Sequence, residues 1–264
     1  MLLSVLHATT YRYADTVSRS TQYIRLTPYN CMRQRTISWN VQMPAAATQL
    51  ADAFDNTMHV LTIIKPYQEL RLVASGKVEV NENDDGEPAG RLNPIVFLRP
   101  TALTGLDDSL RDFIAPMSNL IRSRPFIGMT DLSAAILQHL PYQKGYTHVE
   151  FTAAQSFAAG RGVCQDHSHV FITCARYLGI PARYVSGYLS TSDNDQVESH
   201  AWVEVWISNR WISFDVSNGC QAGGGHLKLA IGLDYADACP VRGVRLGGGD
   251  EELWTAARVK STQQ

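Results

Sequence analysis

The sequence predicts an α+β protein: an all-β amino-terminal domain, then a core in which a helix packs on an antiparallel sheet. Apolar and polar residues alternate through residues 2–80 between turn-like breaks, as in strands with one buried face. From residue 107 the apolar spacing becomes helical, and alternation returns only after residue 181. Between the two regimes stands NENDDGEPAGRLNP, residues 81–94, acidic and rich in Gly, Pro and Asn. This segment sets a boundary, with residues 1–94 as the first domain and 95–264 as the second.

In the first domain SVLHATTYRY, STQYIRLTP, TISWNVQM, HVLTIIKP and RLVASGKVEV read as successive strands. In the second, Asp107 to Ile114 reads as a helix stopped near Pro116. Thr130 is placed to cap another, with Leu132, Ala135, Ile136 and Leu140 on one face, ending before Pro141. A short helix follows from a Thr152 cap to Gly160. The next begins at Cys164: Val170, Phe171, Cys174, Ala175 and Leu178 recur at helical spacing, and Gly179-Ile180-Pro181 ends it. ARYVSGYLS is strand-like, and two alternating runs on either side of Ser208-Asn209-Arg210 read as a hairpin.

Charge excludes some functions. The 23 Lys and Arg against 25 Asp and Glu leave a formal charge of −2, and no basic cluster stands out, so no nucleic-acid partner is expected. MLLSVLHATTYRY has a short apolar run without a positive leader or small-residue cleavage site, and no later stretch reaches membrane-spanning length. The five cysteines, Cys31, Cys164, Cys174, Cys220 and Cys239, are odd in number and irregularly spaced, which fits a reducing cytosol better than a disulfide scaffold. A cytoplasmic protein with no membrane partner is expected.

The candidate chemistry lies in GRGVCQDHSH, residues 160–169. Cys164 falls in the first turn of its helix, where unpaired N–H groups and the macrodipole favour a thiolate. The preceding glycines allow a close approach of backbone, and so of substrate. A buried structural cysteine is the ordinary alternative, and Cys174, within the apolar stripe, fits it. The hairpin supplies a base. Ala201, Val203, Val205 and Ile207 share an apolar face with Ile212, Phe214 and Val216, so His200 and Asp215 share the other. A two-residue turn at Ser208-Asn209 sets His200 opposite Ser217 and diagonal to Asp215, about 7–8 Å between backbones and within side-chain reach. A thiol, an imidazole and a carboxylate then form a nucleophile, a base and an orienting group. Zinc is the rival reading, because Cys164, His167 and His169 crowd together and His200 can join them. His169 lies five residues on, far round the helix, so the helix alone does not converge three ligands, and neither metal nor cofactor is expected. Asp166 points away from the thiol and stabilises the helix start. Trp202, Trp206 and Trp211 share the hairpin face of His200, where they either wall the site or pack beneath the first domain.

GRGVCQDHSH…CARYLGIPARYVSGYL, SHAWVEVW and W-x-x-FDVSNG, in this order, closely resemble the bacterial transglutaminase-like cysteine peptidase superfamily. HATTYRY…RLTP and DAFDNTMHVLTI resemble its amino-terminal β domain, and IGLDYADACPVRGV its carboxy-terminal segment, so the resemblance covers nearly the whole chain. It implies a papain-like, transglutaminase-like core with Cys164 as nucleophile, His200 as base and Asp215 as third member. Two departures stand out: His-Ser-His after Asp166, where the family usually has an aromatic and a small residue, and Val-Ser after Asp215, where Pro-Thr is common. The implied activity is cysteine-dependent hydrolysis of an amide or isopeptide bond in a peptide or amino-acid conjugate. Transfer of the acyl group to an amine and a non-catalytic binding module are the alternatives, and no acidic cluster resembles a calcium loop. The Cys164 backbone N–H is the first oxyanion donor expected, with Gln165 and Trp202 as substrate contacts.

Overall fold

The two alternating runs at the amino terminus form one strand, β1 (Leu2–Ile24), 23 residues long. A computed structural model describes residues 1–82, 86–190 and 197–262; the middle of the acidic boundary segment, residues 83–85, lies outside the described residues. No breaker interrupts β1, and its two halves find different partners. Residues 2–12 pair with β5 (Tyr67–Val80) and residues 20–24 with β4 (Thr57–Ile63), with a register irregularity between Arg12 and Val17. β2 (Gln34–Gln42) flanks β5, and β3 (Ala47–Ala51), which the alternation does not announce, flanks β4.

The carboxy-terminal chain completes this sheet. β10 (Val241–Gly247) pairs with the second half of β1, and β11 (Glu251–Thr262) pairs with the first. The sequence boundary at residue 94 places both strands in the core domain. In the structure residues 241–262 join the amino-terminal sheet, because the long strand offers pairing positions that the first eighty residues do not fill.

Between these halves lies the helical core. α1 (Asp108–Ile114) is capped by the Asp107 carboxylate, which accepts from Leu110 N–H. Pro116 does not end the helical stretch: a 3₁₀ turn passes through it into α2 (Ser118–Ser123). α3 (Pro125–His139) starts earlier than Thr130 suggests, because Pro125 occupies its first position. Thr130 lies inside, its hydroxyl donating to the Phe126 carbonyl. α4 (Ala153–Ala159) has a reciprocal Thr152–Gln155 capping box. α5 (Cys164–Tyr177) follows, buried at every residue from Asp166 to Arg176. α6 (Tyr235–Ala238) is a single turn.

The core sheet has the order β8-β7-β6-β9, from β6 (Ala182–Ser190), β7 (Val197–Ile207), β8 (Arg210–Phe214) and β9 (His226–Gly232). Ser208 and Asn209 both take positive φ, 50° and 62°, the two-residue turn that fits strand twist. One sheet face carries Ala201, Val203, Val205, Ile207, Phe214 and Val216 into a core with α5, whose Val170, Phe171 and Ile172 are fully buried. Each Val, Ile or Phe side chain among them contributes about 1.5–3 kcal/mol through burial. The opposite face holds Trp202 and Trp211 against Phe97 and Ile231, with Tyr29 and Phe54 of the first domain over them. Beside them Arg183 and Lys228 are paired with Glu204 and Glu87, two cations against two anions, all buried. No helix among the described residues is long and apolar enough to cross a membrane.

Candidate active site

Cys164 stands at the first position of α5 because of what the two glycines before it do. Gly160 ends α4 in the left-handed region at φ 64°. Gly162 meets a different need: a Cβ there would stand 2.7 Å from both the Cβ and Oδ2 of Asp166. Gly162 therefore makes room for the cap of α5, not for a substrate. Asp166 is buried and reaches back from the first turn. Its Oδ2 accepts from the Val163 N–H at 2.8 Å and the Thr147 hydroxyl at 2.7 Å, and its Oδ1 from the Ser156 hydroxyl at 2.6 Å. The carboxylate closes the helix start, and the half-buried Cys164 beside it lines a cleft of about 500 Å³.

His200 reaches the same cleft from β7. The β7–β8 ladder runs from Ile207–Arg210 to Val203–Phe214, and Asp215 then turns out into a loop closed by paired backbone bonds with Cys220. Its buried Oδ2 accepts from His200 Nε2–H at 2.7 Å. With Nε2 so engaged, Nδ1 is the nitrogen left for the Cys164 thiol, which lines the same cleft beside the ring. The structure thus brings Cys164, His200 and Asp215 into one chain of contacts. Burial disfavours the His200 imidazolium, but the bonds to Asp215 and Cys164 and their charges outweigh it, and its pKa is raised to about 10. Burial also works against the Asp215 carboxylate. Donors from His200, His226 and Asn218 prevail and hold its carboxyl well below the usual carboxylate range.

The remaining expected residues are placed differently. Gln165 lines the cleft, but its side-chain amide donates to the Val149 carbonyl at 3.0 Å, so it anchors the wall. Trp202 is 1% exposed and lies behind His200, their rings roughly parallel at 6.3 Å. It backs the imidazole and does not face the cleft as a substrate contact, because its side of the sheet is covered by the first domain. His167 spans from the Leu140 carbonyl (2.7 Å, from Nε2–H) to the Ser217 hydroxyl (2.8 Å, at Nδ1). The two departures from the family pattern therefore touch each other. His169 is fully buried, accepts from Tyr235 N–H at 3.2 Å, and burial pushes its pKa down to about 4. Both histidines are engaged away from the thiol.

Two residues that sequence reasoning passed over surround Asp215. Asn218 donates its side-chain amide to Oδ2 at 2.7 Å and its backbone N–H to Oδ1 at 3.2 Å. An Asp followed three residues later by Asn in a turn is a local signal for such bonds. His226, at the start of β9, donates to Oδ2 at 2.9 Å. It lies on a strand buried on both faces, where no alternation marks it. His200, Asp215 and His226 lie close enough together to suggest a metal. The tautomer argues otherwise: His226 Nδ1 accepts from Gly223 N–H at 3.0 Å, so the proton of the neutral ring is on Nε2, where a metal would have to bind.

Against known proteins, residues 124–216 match the transglutaminase-like superfamily and residues 3–79 match the bacterial transglutaminase-like N-terminal region. The chain belongs to this superfamily. It is 29% identical over 272 residues to an uncharacterized protein of Mycobacterium tuberculosis, covering 91% of this chain and 86% of the relative. An uncharacterized protein of Mycobacterium leprae is 28% identical over 273 residues, covering 95% of each. A solved structure of a candidate cysteine protease from Cytophaga hutchinsonii superposes with a TM-score of 0.79 at 18% identity, over 100% of this chain and 91% of that one. It shares the fold from end to end.

Proposed function

We propose that the protein is a cysteine-dependent amide or isopeptide hydrolase acting on small peptides or amino-acid conjugates in the cytoplasm. The observation that supports this best is the contact chain from the Cys164 thiol through His200 to a buried, multiply hydrogen-bonded Asp215. His200 already holds the thiol proton on Nδ1 at neutral pH, and the sulfur attacks the carbonyl carbon. The negative charge that develops on the carbonyl oxygen faces the N-terminus of α5, where the Cys164 backbone N–H has no intrahelical acceptor. The imidazolium returns its proton to the leaving amine, and the acyl group stays on sulfur as a thioester. His200 then takes a proton from water, whose oxygen displaces the sulfur. Asp215 stays ionised throughout and holds the ring.

Water is the acceptor on this reading because the cleft is open. Its rim includes the exposed Ser199 and Thr255, and the indoles of Trp202 and Trp211 lie beneath the sheet, where they cannot shield a thioester. Hydrolysis of a peptide and amide library, read by mass spectrometry with and without excess primary amine, tests the proposal. Free acid products are expected under both conditions, together with no loss on adding a chelator. Predominantly amine-coupled products at millimolar amine would replace the hydrolase by an acyltransferase.

A further inference from the structure

We propose that His226 is a positioning residue of this site, its neutral imidazole donating from Nε2 to fix Asp215 Oδ2 against His200, and that Arg33 of the amino-terminal domain holds the loop that carries it. The inference rests on the reading of Cys164, His200 and Asp215 as nucleophile, base and orienting group.

Three donors converge on one oxygen: His200 Nε2–H at 2.7 Å, Asn218 Nδ2–H at 2.7 Å and His226 Nε2–H at 2.9 Å. A carboxylate oxygen offers about two lone-pair sites, so the donors share it and none holds it alone. The consequence is positional. Oδ2 cannot swing toward or away from His200 without breaking bonds to two other groups, one of them on a different strand. The consequence is also electrostatic: with its charge divided, Asp215 orients the His200 ring without drawing the proton from it.

His226 can do this only as a donor, and its surroundings fix it as one. Nδ1 accepts from Gly223 N–H, which sets the proton on Nε2. The ring is buried and meets the edge of Trp202 at 5.3 Å. The charged and titratable groups that face it are Asp215, His200 and Arg33; burial, His200 and Arg33 together keep it neutral against the pull of Asp215. Arg33 is itself buried and donates to the carbonyls of Ala222 (2.5 Å), Gly223 (3.2 Å) and His226 (2.7 Å). Three carbonyls turned to one guanidinium define the loop from Ala222 to His226, and with it the place of the imidazole.

Glutamine and asparagine at position 226 separate positioning from packing. The Gln amide nitrogen falls near Nε2 and keeps the donor to Asp215 while losing the acceptor for Gly223 N–H. The Asn amide falls near Nδ1, keeps that acceptor and loses the donor. Alkylation of Cys164 by iodoacetamide reads the thiol and its base with no substrate needed. Relative to wild type at neutral pH, His226→Asn and His226→Leu are expected to react about tenfold or more slowly, and His226→Gln within about threefold. Asn as fast as wild type, or Gln as slow as Leu, in proteins with native near-UV circular dichroism, would overturn the proposal. Nitrogen-15 NMR of the wild-type imidazoles checks it without substitution: a neutral Nε2–H ring at residue 226 between pH 6 and 8 is expected, and an Nδ1–H or protonated ring there refutes it. Equal alkylation of wild type and His200→Ala would instead sink the nucleophile–base reading, an outcome the NMR measurement keeps separate.

Discussion

Cys164 and Cys174 lie ten residues apart on one helix and meet opposite environments. Cys174 is fully buried in the core, and burial pushes its thiol up to about 12, whereas Cys164 is half-buried at the mouth of a cleft beside an imidazole. Cys164→Ala is expected to abolish turnover with little change in melting temperature, and Cys174→Ala to keep turnover while losing about 1 kcal/mol of stability. Activity lost equally in two folded proteins would undo the assignment. Asp215→Asn keeps an acceptor for His200 but sets an amide N–H against the other donors, so turnover should fall about a hundredfold and still exceed that of Cys164→Ala. His200 also links stability to pH. Its folded pKa, about 10, lies above the unfolded value near 6.5, so its charge contributes fully below pH 6.5 and the contribution is lost as pH rises through 10. The gap in melting temperature between wild type and His200→Ala should therefore narrow from pH 7 to pH 10.5; a constant gap would mean that His200 is not held as the imidazolium. The contact between His200 and Asp215 was legible in the sequence because period two puts the two residues on one face. His226 was not, since its bond to Asp215 joins a loop to the end of a fully buried strand and leaves no local pattern.

At the scale of elements, the start of α5 decides where the thiol points. Asp166 collects three donors there, and Gly162 is the only residue that leaves it room. Gly162→Ala should displace the carboxylate, leave buried donors unpaired at about 1–3 kcal/mol each, and slow alkylation of Cys164 although the thiol itself is unchanged. A variant as stable and as reactive as wild type would show that the first turn tolerates a shifted cap. Capped elements were the legible ones: Thr152 and Gly160 bound α4 in sequence and in space. α3 was read six residues short, with its cap at Thr130 instead of Arg124, because Thr130 has the chemistry of a cap but spends its hydroxyl on a carbonyl within the helix. β3 was missed because its five residues are largely exposed and carry no alternation.

The whole molecule is closed by chain ends and by Arg33. The return of β10 and β11 to β1 could not be read from the carboxy-terminal residues, whose irregular sequence, exposed along most of β10, gains meaning only from the long strand they pair with. That return brings Thr255 of β11 to the cleft, so the first sheet forms part of the site's wall. Arg33 makes the second connection. From the amino-terminal domain it bonds the three carbonyls that shape the loop before β9, and this loop sets His226 on Asp215. Arg33→Ala leaves those carbonyls without their charged donor, a loss of about 2–4 kcal/mol from hydrogen bonds of this kind. Alkylation of Cys164 should slow by about tenfold, as in His226→Asn, although Arg33 does not line the cleft. Arg12→Ala serves as the control, since the exposed Arg12–Glu69 pair on the same domain contributes at most about 1 kcal/mol and touches no part of this path. Combining Arg33→Ala with His226→Leu separates a shared path from two independent losses. If Arg33 acts through His226, the double variant alkylates no more slowly than His226→Leu alone. Additive slowing would mean that the amino-terminal domain steadies the site by another route.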